Sequence, residues 1–262
     1  MNGPLARPSV AQPVTYRQMR DDGTIAHPLA LERNRICYAP YRGRRYFVDL
    51  SHGSFDEYLA KFSHKTRGNL KRQVRVLADG GAAEFCSFES PEGILEFLDH
   101  AVGISRWTYQ RKIGVGFPET EEFRAKLLDE AAKGLVRGFL LMRKDRAVAY
   151  ALCRIDSEII TYVITGYDPT LARYSPGTVL LFLILERLFA ERRLRVFDFG
   201  GQESGYKALF ATGDVRYVRV VWFPITAKNV GAVHYALRQA WTGAGWLKGA
   251  AARALTARPS SR

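Results

Sequence analysis

The chain has 262 residues, 47% hydrophobic and 12% aromatic, which is ample for a packed core and too apolar for a disordered polymer. Thirty-nine lysines and arginines against 26 acids give a net charge of +13, so the partner sought is anionic: nucleic acid, an anionic membrane surface, a phosphate-rich cosubstrate or an acidic polymer. Three scattered cysteines without a C-x-x-C argue against a disulfide framework, and five isolated histidines argue against a metal site.

Residues 1–34 carry Pro4, Pro8, Pro13 and Pro28 without a sustained period and read as an extension ordered only in part. No apolar leader follows Met1, and the longest apolar run, Val179 to Leu185, is too short to span a bilayer. A cytoplasmic protein is expected, with the inner membrane surface as a site of peripheral attachment. Ile36–Tyr38 and Tyr46–Leu50 flank Arg42-Gly43-Arg44-Arg45 and predict a hairpin turning at Gly43. Ser54 and Glu57 then form a capping box for a helix with Leu59, Phe62, Leu70, Val74 and Leu77 on one face. Lys61, Lys65, Arg67, Lys71, Arg72 and Arg75 lie beside that stripe, and residues 58–78 hold no acid. Such a face is either merely solvated or turned to a polyanion, and Gly68 predicts a break or bend in it.

A strand over Ala82–Phe88, a helix over Pro91–Trp107, a glycine-punctuated loop and a helix over Thr120–Lys133 follow. Strands are predicted at Gly138–Met142, Ala147–Cys153 and Ile159–Gly166, with charged turns between them. The last leads into Arg173-Tyr174-Ser175-Pro176-Gly177-Thr178 and the unbroken apolar helix that starts with Val179. Ser175 suits an N-cap and Pro176 the first helical position, while Gly177 lets a ligand approach the amides behind it. A strand feeding a helix with open N-terminal amides suits a phosphate; an ordinary capped helix is the alternative. A strand over Leu194–Phe199, a helix over Glu203–Phe210 and a strand over Arg216–Phe223 complete the order β-β-β-α-β-α-β, an α/β (α+β) chain with a mixed sheet and helices on its faces. Residues 35–225 form the predicted domain. Residues 226–262, basic and without an acid, form a helical tail that either packs or touches an anionic membrane.

Three blocks carry a family likeness: Ser63-His64-Lys65-Thr66-Arg67-Gly68-Asn69-Leu70-Lys71-Arg72, Tyr174-Ser175-Pro176-Gly177, and Phe197-Asp198-Phe199-Gly200 with Tyr206-Lys207-Ala208-Leu209-Phe210. With Ser105-Arg106-Trp107, they resemble the GCN5-related N-acetyltransferase (GNAT) superfamily, and more narrowly its CelD/BcsL-type acetyltransferases, named for cellulose biosynthesis. The likeness implies a GNAT-like, mostly antiparallel mixed sheet flanked by helices. It also implies acetyl-CoA or another acyl-CoA as cosubstrate, an amine acceptor that is acidic or saccharide-linked, and no metal. Arg173, Tyr174, Ser175, Gly177, Thr178 and Val179 would hold the CoA pyrophosphate. The usual phosphate motif, Gln/Arg-x-x-Gly-x-Gly/Ala, would put its first glycine at Pro176, so the turn departs from the pattern. A FemAB-like transferase, drawing an aminoacyl group from charged tRNA, is the alternative that the basic helix favours, and a non-catalytic module of the same fold, binding a polyanion or membrane, is the third.

Direct transfer to an amine needs a base, donors for an oxyanion and an acid for the thiolate. Asp198, in an apolar strand, and Glu203, at a helix start, are the candidate bases; each has a structural alternative, a backbone-bonded Asp and a first-turn acid. Tyr206 would protonate the thiolate or pack against Phe210. Arg67, Trp107 and Lys207 are the candidate substrate-binding residues; Lys207 is otherwise a solvated lysine.

Overall fold

The computed structural model describes residues 15–20, 29–32, 35–51, 53–78, 83–106, 117–201 and 203–226. They divide into two units, Arg44–Val215 and, separately, Met1–Gly43 with Arg216–Arg262.

The larger unit contains helices α1 (Phe55–Ala60), α2 (His64–Ala78), α3 (Pro91–Ser105), α4 (Glu121–Ala132), α5 (Pro176–Glu191) and α6 (Gly205–Phe210). Its strands are the C-terminal part of β3 (Arg35–Asp49), then β4 (Ala83–Phe88), β5 (Val136–Arg143), β6 (Arg146–Asp156), β7 (Ile159–Tyr167) and β8 (Val196–Asp198). They lie in the order β3-β8-β7-β6-β5-β4, antiparallel throughout except for the parallel pair β7–β8.

Side chains alternate across this sheet as the period of two requires. Phe139, Leu141, Ala149, Ala151 and Cys153 join α1, α2 and α5 on one face. Leu140, Tyr150 and Leu152 join α3 and α4 on the other. Nine residues of α5 are buried, as an all-round apolar helix must be. Helix starts follow their caps: Ser90 accepts from the Gly93 amide and Thr120 from the Phe123 amide.

One buried charge on the sheet is met in full. Arg137 is 2% exposed and donates both terminal nitrogens to Glu191, at 2.6 and 2.7 Å, and its Nε to Ser87, at 2.8 Å. Glu89 lies 3.0 Å away, and Glu191 also accepts from Arg187.

In the smaller unit, β1 (Thr15–Arg20) pairs with β9 (Gly213–Pro224), and β2 (Leu29–Glu32) pairs with the start of β3, both antiparallel. Cys37, Ala39, Val218 and Val220 form its buried cluster. Residues 15–20 and 29–32 are therefore strands within the stretch expected as an extension. The tail from 227 onward lies outside the described residues.

Two local expectations are corrected. Residues 35–49 form one continuous strand, because the chain around Gly43 stays extended rather than turning. The helix predicted from Ser54 to Leu77 breaks at 61–63, not at Gly68. Ser63 accepts from the Thr66 amide at 3.2 Å and restarts the helix as α2, which runs through Gly68 without a break.

Candidate functional site

The pairing of β7 with β8 lasts three residues, Ile159↔Val196, Ile160↔Phe197 and Thr161↔Asp198. Beyond it the strands part. The Phe199 amide donates to Tyr46 O at 3.0 Å, so the chain leaving β8 follows β3 instead of β7. On its other side, β7 pairs Leu152 with Ile164 and Cys153 with Tyr162, which leaves Val163 as the extra residue of a β-bulge. From Tyr162 onward, one edge of β7 has no strand partner among the described residues. Its N–H and C=O groups face the opening and are available to a ligand. Neither bulge nor parting has a local sequence signal.

Aromatic rings floor this opening. Tyr162 packs on Phe197 at 5.5 Å, Phe197 on Phe199 at 5.0 Å, and Phe199 on Tyr206 at 6.3 Å. Gly200 adopts φ +69°, and a Cβ there would lie 3.3 Å from Tyr162 O, so glycine allows the loop to close against β7. Tyr206 is 41% exposed at the rim, and partial burial raises its pKa.

Asp198 is bonded on both oxygens: Oδ2 lies 2.5 Å from Arg45 Nη2, and Oδ1 accepts from the Gly200 amide at 2.8 Å. Glu203 precedes the helix, since α6 begins at Gly205, and its Oε1 accepts from the Arg44 amide at 2.7 Å. Lys207 is 9% exposed, and its ammonium donates to Phe199 O and Gly201 O, at 2.9 Å each. It holds the loop between β8 and α6 rather than standing in solvent. Arg44 and Arg45, which sequence reasoning assigned to a turn, thus anchor Glu203 and Asp198 from β3, more than 150 positions earlier.

The turn before α5 departs from the capped geometry expected. Residues Pro169–Tyr174 form a 3-10 helix ending at Ser175, which takes the left-handed φ +52°, ψ +49° and makes no side-chain cap. The Thr178 and Val179 amides both donate to Ser175 O at 3.0 Å. Of the amides predicted to cradle a pyrophosphate, only that of Gly177 is left without a backbone acceptor in the turn. The Arg173 guanidinium lies 4.6 Å from the Tyr174 ring, and that of Arg143, from the end of β5, lies 5.6 Å from the same ring. Arg143 is a cation at this turn that sequence reasoning missed.

Arg67 lies half-buried on α2, away from Asp198, Glu203 and Tyr206 in sequence; Trp107 falls outside the described residues. Depressions of about 370 and 470 Å³ beside α3 include none of the predicted site residues. No group of His, Cys, Asp and Glu among the described residues could hold a metal.

A family model described as an acetyltransferase (GNAT) domain matches residues 64–208. The comparison with curated proteins gives no match. Among solved structures, the C-terminal domain (DUF2156) of a candidate lysylphosphatidylglycerol synthetase from Agrobacterium fabrum is similar, with 15% identity and a TM-score of 0.53 over 77% of this chain and 66% of that one. L-PGS from Bacillus licheniformis is similar with 13% identity and a TM-score of 0.51, over 84% and 70%. At such identities the likeness is one of fold. The mostly antiparallel sheet flanked by helices is that of the family.

Proposed function

The chain belongs to the acetyltransferase (GNAT) family, and on that premise we propose that it transfers an acyl group directly from a CoA thioester to an amine. The observation that carries the reading is the parting of β7 from β8 after Thr161 and Asp198; the unpaired edge of β7 runs on to Tyr167, whose ring lies against Gly177 in the first turn of α5. An extended acyl-pantetheine arm in the opening would meet the unpaired edge of β7, as an added strand does. The phosphates would lie toward Gly177, Arg173 and Arg143.

In the reaction, the amine nitrogen adds to the thioester carbonyl carbon and the oxyanion draws on N–H groups of the bulged strand. The C–S bond then breaks. Glu203, whose Oε2 has no partner among the described residues, is the better base, because both oxygens of Asp198 are already bonded. Tyr206, kept protonated by its raised pKa, gives its proton to the thiolate. Asp198 and Lys207 position the loop that carries Glu203. The likeness of residues 63–72, 174–177 and 197–210 to CelD/BcsL-type enzymes supports an amine-bearing envelope saccharide as acceptor, reached from the cytoplasmic side of the inner membrane.

A second reading, FemAB-like transfer from an aminoacyl-tRNA, is favoured by the turn at Ser175, whose single open amide is a poor pyrophosphate cradle. A neighbour in fold whose name specifies lysyl transfer to a lipid agrees with it.

Thermal unfolding with added acetyl-CoA separates the two. Saturation at about 100 times Kd adds about 2.7 kcal/mol of stability. No shift with any acyl-CoA, together with release of amino acid from charged tRNA, sinks the first reading. Under it, Glu203→Gln lowers free-thiol release about 10²–10⁴-fold; unchanged turnover removes Glu203 as the base.

A further inference from the structure

Helix α2 displays Lys65, Arg67, Lys71, Arg72 and Arg75 and contains no acid. None of the five enters an ion pair among the described residues, whereas cations on α4, α5, β5 and β6 do. Burial chiefly, helped by Asp56, raises the pKa of the Glu186 carboxyl, and Lys71 comes near enough only to oppose that rise. At about 100° per residue, these side chains and His64 occupy roughly 160° of the helix circumference. The opposite side, with Leu70 and Leu77, is buried in the core.

Gly68 lies within this cationic arc. A Cβ at Gly68 would meet nothing within 4 Å, so packing does not call for glycine there. Its φ is not positive, so the backbone does not call for it either. Glycine in mid-helix is unfavourable, and what it gives in return is close access to the helix backbone.

We propose that this strip binds the phosphodiester backbone of a double-helical nucleic acid. The charge is complementary to phosphate. An arc of this width suits a partner that curves around the helix, as phosphate ridges flanking a groove do, better than it suits a flat bilayer. The exposed residues of α2 include no large apolar side chain to enter lipid, and their single ring able to stack on an unpaired base is that of His64, at the first position of the helix. Gly68 lies where the closest approach would fall. This inference does not depend on the identity of the acyl donor.

Fluorescence anisotropy of the full chain with a roughly 20-base-pair RNA duplex, the matching DNA duplex and phosphatidylglycerol vesicles tests it. Five phosphate contacts predict a slope of log K against log salt of about −4 to −5 on duplex DNA. The combined variant Lys71→Gln, Arg72→Gln, Arg75→Gln makes that slope shallower by about 3 units. Gly68→Ala raises the thermal midpoint yet weakens duplex binding several-fold, a pairing of effects that a purely structural glycine would not give. The duplex bound more tightly names the source, RNA or DNA. An unchanged slope in the triple variant, unchanged affinity in Gly68→Ala, or binding to vesicles but to neither duplex overturns the proposal.

Discussion

Arginine serves opposite ends in two regions of the same unit. Between β5 and α5, Arg137 is buried and bonded to Ser87 and Glu191, with Glu89 close by; on α2, five cations stand without an ion pair among the described residues. A desolvated charge must be compensated in place, so the first set is a matter of stability. A solvated charge needs no compensation, so the second costs the fold little and stays available to a partner. Net charge alone does not separate the two.

The largest effect expected from this contrast is on Arg137→Ala, which leaves the largely buried Glu191 with Arg187 alone and Glu89 with Arg193, and should cost about 3 kcal/mol in urea unfolding. A loss below 1 kcal/mol would place the network with the surface pairs. Acid should show the same pair at work. Hydrogen bonds from Arg137 chiefly, helped by Arg187 and opposed by burial, lower the Glu191 pKa from 4.5 to about 2. The group is depressed in the folded state, so its stabilisation is complete above about 4.5 and is lost as pH falls toward 2. At most about 3 kcal/mol is at stake, and a Glu191→Gln variant should lack that part of the acid transition. Lys207→Met, which removes two charge-assisted bonds to Phe199 and Gly201, should cost about 1.5–3 kcal/mol in thermal unfolding. A neutral result would mean that the ammonium is not what holds the loop. Arg72→Gln and Arg75→Gln should each stay within about 0.5 kcal/mol of the parent, and a larger loss would break the contrast at its other end.

What the sequence disclosed follows the same division between local and distant causes. Ser54, Ser90 and Thr120 announce helix starts through bonds three residues away, and the alternation of β5 and β6 is written in consecutive positions. The meander and the apolar helix after it were legible for that reason, and with them the neighbourhood of Asp198, Tyr206 and the turn at Arg173. Gly43 misled, because only the strands pairing on either half of β3 keep it extended. Ser175 misled because the preceding 3-10 helix forces it left-handed, which no side-chain preference records. The partners of Asp198 and Glu203, the burial of Lys207 and the bulge at Val163 come from pairings across the sheet, and no window of neighbouring residues contains them.

The end of α6 adds a matter of timing. Tyr58 donates to Phe210 O at 2.7 Å, and Lys61 donates to the carbonyls of Leu209 and Ala211, so α1 closes off the helix that bears Tyr206. Tyr58 and Phe210 are 152 positions apart. At roughly 5–20 residues per second, a growing chain exposes α1 for about 8–30 s before its acceptors leave the ribosome. Through that interval Tyr58, Lys61 and the cationic helix behind them are presented to the cell without the segment that will later fix their place.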